Sequence, residues 1–282
     1  MSRVGAASPD LLEAITAASR RRVETARARR PVSALERLVE AGGDDRAGRF
    51  VEALSRRGQV NVIAECKRRS PSRGVLRRDY DPVALGRAYE DAGAAAISVV
   101  TEPTFFDGDL RHLEQLASTV TRPLLRKDFV VDAYQVLEAR AAGASAVLLI
   151  VAALDDAGLR GLMAEAAAQG LAALVEVHTL EDLERACAAG ARVIGVNSRN
   201  LRTLDVDPDT PLRLVDAMPD TVVTVAESGL KTAGDVARLR AAGFDAFLVG
   251  ERLVTATDPG AALIEIRDSG IGSRESGIGT RG

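Results

Sequence analysis

From residue 61 onward, short runs rich in Val, Ile, Leu and Ala alternate with stretches of helical periodicity. This is the pattern of repeated βα units that build a parallel sheet. The runs cover residues 61–65, 96–100, 123–127, 146–150, 172–176, 193–197, 222–225 and 246–250. Each is nearly continuous in apolar residues, as strands buried on both faces require. The helical stretches between them, such as 132–142, 179–188 and 231–242, lead into Ala-Gly pairs in which Gly143, Gly190 and Gly243, like Gly93 earlier, read as C-caps. Eight strands, each followed by a helix, predict an α/β fold of the closed (β/α)8 TIM-barrel type over residues 61–267. An open dinucleotide-binding sheet would carry an early glycine-rich turn.

Ahead of the barrel, residues 8–30 and 47–57 read as extra N-terminal helices, the first opened by Ser8-Pro9-Asp10. They belong to an extension, residues 1–60, expected to pack over the barrel rim. Residues 268–282 contain a near-repeat of Ser, Gly, Ile and Arg too small to pack, and are expected to form a disordered tail. The tail's Gly277-Ile278-Gly279-Thr280-Arg281-Gly282 has the formal spacing of a dinucleotide loop. No strand precedes it and no helix can follow, so it is set aside.

Charge narrows the partners. The 37 basic and 40 acidic residues are spread along the chain, giving a net charge of −3. No basic footprint for nucleic acid or anionic lipid stands out. The longest apolar stretch, residues 146–154, is too short to span a membrane, and the arginine-rich N-terminus has no apolar signal core. A cytoplasmic protein with a small-molecule partner is expected. Cys66 and Cys187 form no disulfide framework or metal motif. His112 and His178 lack neighbours at metal-ligand spacing, so no metal is predicted, and His178 reads as a solvated loop residue.

In such barrels the catalytic groups stand at the C-terminal strand ends, and polar residues collect there: Glu65 and Lys67, Lys127, Glu176, Asn197, and the Glu227-Ser228 pair. Period-two alternation places Glu65 and Lys67 on one side of the first strand, facing the mouth, and Cys66 on the other. Among the 37 basic residues the only lysines are Lys67, Lys127 and Lys231. Two of these sit at strand ends, where a desolvated ammonium of lowered pKa could exchange a proton as a guanidinium cannot. The alternative is that Lys67 with Glu65 and Lys127 with Glu176 merely neutralise charge at the rim. Lys231 reads as a solvated surface residue.

The turns Glu227-Ser228-Gly229 and Val249-Gly250-Glu251 follow the last two strands, where barrels commonly hold phosphate on backbone N–H groups. The loop Ser70-Pro71-Ser72-Arg73-Gly74 could add a hydroxyl and close over the site. Each glycine could equally be only a turn residue.

Taken together, these residues resemble the indole-3-glycerol phosphate synthase family, from about Ser8 to Ile266. The most specific motif is Val62-Ile63-Ala64-Glu65-Cys66-Lys67-Arg68-Arg69-Ser70-Pro71-Ser72-Arg73-Gly74. It is supported by Thr101-Glu102-Pro103 with Phe106 and Gly108, Leu124-Leu125-Arg126-Lys127-Asp128-Phe129, Leu174-Val175-Glu176-Val177-His178, Gly195-Val196-Asn197-Ser198-Arg199-Asn200-Leu201, and Ala226-Glu227-Ser228-Gly229. Cys66, Ser198 and Glu251 depart from the common family residues, and none removes a group the chemistry needs.

The resemblance implies a cofactor-free closure of the indole ring on 1-(2-carboxyphenylamino)-1-deoxyribulose 5-phosphate, with loss of carbon dioxide and water. It implies Lys127 as general acid, Glu176 as its proton-transfer partner, and Lys67 as the cation for the carboxylate, oriented by Glu65. Asn197 would hydrogen-bond the anilino nitrogen and hydroxyls, with Arg199 and Ser228 in support. Ser70, Gly229, Gly250 and the backbone of Glu251 would hold phosphate, and Phe106, Phe129 and Leu148 would pack on the aromatic ring. No obligate protein partner is implied. The competing readings are a related barrel such as phosphoribosylanthranilate isomerase, for which Cys66 points the wrong way, and an inactive barrel used as a binding subunit, for which the Lys127–Glu176 pair would have to be broken.

Overall fold

A computed structural model describes residues 10–39 and 45–269. Its centre is a closed parallel barrel of eight strands: β1 (Asn61–Cys66), β2 (Ala96–Val100), β3 (Leu124–Lys127), β4 (Ala146–Ile150), β5 (Ala172–Val177), β6 (Val193–Asn197), β7 (Val223–Glu227) and β8 (Ala246–Val249). Each strand pairs with its neighbours in sequence, and β8 closes on β1 with Asn61 opposite Ala246. All eight expected strands are present. The largest shift is in β7, which runs on to Glu227, beyond the expected end at residue 225.

Strand alternation sorts the apolar residues into two layers. Ile63, Leu125, Leu148, Leu174, Val193, Val225 and Leu248 fill the barrel interior. Val62, Ala64, Cys66, Val147, Val175, Val196 and Phe247 face outward and pack in one cluster with apolar residues of the surrounding helices, such as Leu85, Leu183 and Leu239. Cys66 therefore points away from the mouth, as the alternation requires, and burial pushes its thiol up. The glycines expected as C-caps, Gly93, Gly143, Gly190 and Gly243, all have positive φ, the conformation that ends a helix without a Cβ clash.

The extension serves both ends of the barrel rather than one rim. Helix α1 (Leu11–Arg29), capped by the Asp10 carboxylate on the N–H groups of Leu12 and Glu13, lies at the catalytic face. There Leu12 and Ile15 join the interior cluster. Helix α3 (Arg46–Leu54) presents Phe50, Ala53 and Leu54 to the same interior. The N-terminal end of β1 is tied to it, since the Asn61 amide donates to the Leu54 and Arg56 carbonyls at 2.8 and 3.0 Å. Between them a short helix, α2 (Val32–Val39), docks Leu35 against Tyr134 and Leu137. The sequence pattern did not reveal it.

The last helix, Pro259–Ser269, includes Asp268 and Ser269, so the expected tail begins two residues too early. The rest of the tail, with its glycine repeat, lies outside the described residues, as do Ser8 and Pro9. Among the described residues no helix is long and apolar enough to cross a membrane.

Candidate active site

Following each strand to its last inward position generates the mouth. β1 delivers Glu65 and, one step on, Lys67. β3 delivers Lys127, β5 Glu176, β6 Asn197 and β7 Glu227, whereas β4 ends on Leu148 and Ile150. One side of the opening is thus charged and the other apolar. Together these residues line a cavity of about 570 Å³, along with Phe106, Phe129, Arg199, Ser228, Gly229, Gly250, Glu251 and Ser70. Every residue expected at the site from sequence faces this one cavity.

At its floor the Lys127 ammonium lies 3.6 Å from Glu176 Oε2 and 3.5 Å from Glu227 Oε2. Glu65 pairs with Lys67. Both lysine–glutamate pairs exist, then, but at the barrel floor rather than on its rim: Glu65, Glu176 and Glu227 are 3, 1 and 1% exposed. Neither oxygen of Glu176 or Glu227 has a hydrogen-bond partner among the described residues. Buried polar atoms are ordinarily paired, so these oxygens are held ready for a ligand.

The electrostatics correct one expectation. Burial works to lower the Lys127 pKa, but Glu227, Glu176 and Glu65 outweigh it and hold the ammonium above the ordinary lysine value. Lys127 is not a lysine of lowered pKa; three carboxylates brought together from β1, β5 and β7 keep it charged. The proton that is displaced toward neutrality belongs to Glu227. Burial, with repulsion from Glu176 and Glu65, pushes its carboxyl up to about 8 despite the attraction of Lys127. Glu65 goes the other way: burial would raise it, but Lys67 and Lys127 hold it below the usual carboxylate range. Carboxyls with opposite shifts in one cleft suit a division into proton holder and fixed anion.

Two glycines make room for these groups. A Cβ on Gly195 would overlap the Glu227 carboxylate, and one on Gly250 would overlap that of Glu65. After β7, Ser228 and Gly229 are both in the left-handed region, at φ 63° and 75°. A serine there is strained, and such strain persists at sites that the surrounding structure over-determines.

The loops complete the walls. Phe106 and Phe129 stand with ring centroids 6.2 Å apart, an aromatic pair beside Leu148. Asn197 Oδ1 accepts the Arg199 N–H at 2.9 Å, and the Arg199 guanidinium donates to the Leu204 carbonyl at 2.9 Å. This holds Leu201, Leu204 and Val206 over the opening. Ser70 is buried in a two-stranded turn formed by Arg69–Ser70 and Gly74–Val75. Glu251 is paired with Arg73 of that turn at 3.0 Å.

His178 is not the solvated loop residue expected. Its Nε2 lies 2.9 Å from the Arg199 carbonyl and 3.7 Å from Glu176 Oε1, with the side chain 14% exposed. Lys231 is exposed as expected, yet it stands at the cavity edge. Glu227 was noticed only as part of a turn. With β7 ending at residue 225 its inward direction was hidden; alternation from Val223 and Val225 would have found it.

The family model described as indole-3-glycerol phosphate synthase matches residues 12–266. The chain is 46% identical over 260 residues to an indole-3-glycerol phosphate synthase of Albidiferax ferrireducens, covering 91% of this chain and 98% of the relative. It is 50% identical over 239 residues to one of a Parafrankia species, covering 85% and 88%. Among solved structures it superposes on 3-hexulose-6-phosphate synthase from Salmonella typhimurium with a TM-score of 0.62 at 14% identity, over 75% of this chain and 98% of that one. A mandelate oxidase variant gives 0.59 at 17% identity, over 84% and 92%. At such identities these likenesses speak for the barrel alone. The match of sequence over nearly the whole chain says more: the chain belongs to the indole-3-glycerol phosphate synthase family.

Proposed function

We propose that this protein converts 1-(2-carboxyphenylamino)-1-deoxyribulose 5-phosphate into indole-3-glycerol phosphate in tryptophan biosynthesis, as a decarboxylating lyase, with the mouth residues in the following roles. The observation that carries the reading is the Lys127 ammonium set between two buried carboxylates whose oxygens have no hydrogen-bond partner among the described residues.

Lys127 gives a proton to the ketose carbonyl oxygen as the ring carbon bearing the carboxylate attacks the carbonyl carbon. A bond forms between those two carbons, and the oxygen becomes a hydroxyl. The carboxylate then leaves as carbon dioxide, and its bonding pair restores the aromatic ring. Finally the new hydroxyl leaves as water, taking one proton from an acid, while the adjacent CH₂ gives one proton to a base. Written from the carboxylate, the sequence consumes one proton overall.

Glu176 and Glu227 flank Lys127 and return its proton, Glu227 holding one itself at neutral pH. Lys67, fixed by Glu65, meets the carboxylate and serves the dehydration. Asn197 and Arg199 orient the hydroxyl-bearing chain, Phe106, Phe129 and Leu148 hold the aromatic ring, and Ser228 stiffens the turn after β7. Ser70 and the backbone N–H groups of Gly229, Gly250 and Glu251 take the phosphate, with the Glu251 side chain turned to Arg73. All these groups come from one chain, so the enzyme needs no protein partner, and we assign it to the cytoplasm.

Substrate labelled at the carboxyl carbon tests the reaction. One labelled carbon dioxide is expected for each indole-3-glycerol phosphate formed. A cyclised product that keeps the label would overturn it.

A further inference from the structure

The residue after Lys127, Asp128, is wholly buried, and both its oxygens are occupied. Oδ1 accepts from the Arg22 guanidinium at 2.6 Å and from the N–H of Phe129 at 2.8 Å. Oδ2 accepts from the Thr101 hydroxyl at 2.6 Å and from Arg126 at 3.2 Å. Burial would raise this carboxyl; Arg22 foremost, then Arg126 and Thr101, hold it below the usual range. Arg22 belongs to α1, 106 positions away in sequence.

Its other contact lies on a second loop of the mouth. Arg22 NH1 is 3.5 Å from Glu102 Oε1. Glu102, 1% exposed, caps the short helix Pro103–Phe106 by accepting from the N–H groups of Thr104, Phe105 and Phe106. Arg22 is therefore shared by the segment that carries Lys127 and Phe129 and by the turn that carries Phe106. The same helix grips that segment again one turn earlier: the Ser19 hydroxyl donates to the Phe129 carbonyl at 2.6 Å and accepts from Arg22 at 2.9 Å.

We propose that Arg22 is a positioning residue for ring closure, setting the proton donor on β3 and the two aromatic rings in register by binding Asp128 and Glu102 at once. The proposal rests on the roles given above to Lys127 and the phenylalanines. An arginine suits the task because its planar fork can serve two carboxylates simultaneously, whereas a lysine is a point donor. A displacement of about 1 Å arising far from the chemistry can cost on the order of 100-fold in rate.

The test compares Arg22→Ala, Arg22→Lys and the control Arg21→Ala, an exposed residue of the same helix. It measures kcat and KM for the carboxyphenylamino-deoxyribulose phosphate, Ki for inorganic phosphate, and Tm. Arg22→Ala is expected to lower kcat by about 10- to 100-fold at a temperature where it is folded. Its phosphate Ki should stay within about twofold of wild type, because the proposed phosphate ligands lie on other loops. Arg22→Lys should recover part of the loss, and Arg21→Ala should match wild type. If Arg22→Ala does not fold, Arg22→Lys carries the test, with a kcat loss of roughly 3- to 10-fold expected. A lowered Tm with wild-type kcat in the folded variant would overturn the proposal and leave Arg22 a structural tie. Failure of the functional reading itself is distinguishable, because wild type would then form no product.

Discussion

Replacing Lys127 by arginine keeps the charge and changes the geometry of the group that carries it. The ammonium sits 3.5 and 3.6 Å from two carboxylate oxygens on a floor lined by three buried glutamates. A guanidinium still neutralises those carboxylates, so the variant should fold, with Tm within about 5 °C of wild type. Its longer, planar head does not fit the same point, and with a pKa above about 12 it is a poor proton donor. Positioned acid–base groups contribute on the order of 10²–10⁴ in rate, or about 3–5 kcal/mol of transition-state stabilisation. The loss is therefore expected in kcat, with KM altered by less than about tenfold. Lys127→Met supplies the second arm. Removing one partner of a buried ion pair costs about 3–5 kcal/mol. Here the cost should shrink toward acid pH, because Glu227, already raised to about 8, can take up a proton instead. The assay is steady-state formation of the fluorescent indole product together with thermal melts. Retention of more than about a tenth of wild-type kcat in Lys127→Arg, with KM chiefly raised, would refute the reasoning and leave Lys127 a binding cation.

Glu227→Gln should lower kcat by at least about tenfold while relieving the folded state of a buried carboxylate. Because the folded value of about 8 lies above the ordinary 4.5, Glu227 contributes stability below 4.5 that is lost as pH rises through 8. The variant should gain on wild type across that window in denaturant melts and level off above it; a pH-independent difference would contradict this. Gly195→Ala should lower activity sharply and destabilise the fold by about 1–3 kcal/mol, since its methyl group would displace the Glu227 carboxylate. Wild-type turnover in that variant would show that Glu227 has no fixed place. Removing residues 270–282, which hold few apolar side chains, should leave turnover unchanged; a Tm lower by more than about 5 °C would show that the segment docks.

What could be read in advance follows from how far each interaction reaches along the chain. Strand periodicity is local, so all eight strands, the facing of Glu65 and Lys67, and the outward turn of Cys66 were legible. Glu227 was missed by two residues of strand length, because a boundary carries less signal than a core. Helix α2 was missed because it offers a single fully buried side chain, Leu35. The charge state of Lys127 depends on glutamates from three separate strands, and the grip of Arg22 on Asp128 joins segments 106 positions apart. Neither leaves a local pattern. His178 was misjudged for the same reason, since its partner carbonyl belongs to Arg199 on the next βα loop.

The central claim is that this barrel mouth closes the indole ring. Purified full-length protein mixed with 1-(2-carboxyphenylamino)-1-deoxyribulose 5-phosphate, without added cofactor, should produce indole fluorescence that saturates with substrate and disappears in Lys127→Arg. Folded wild-type protein that leaves the substrate unchanged would contradict the account.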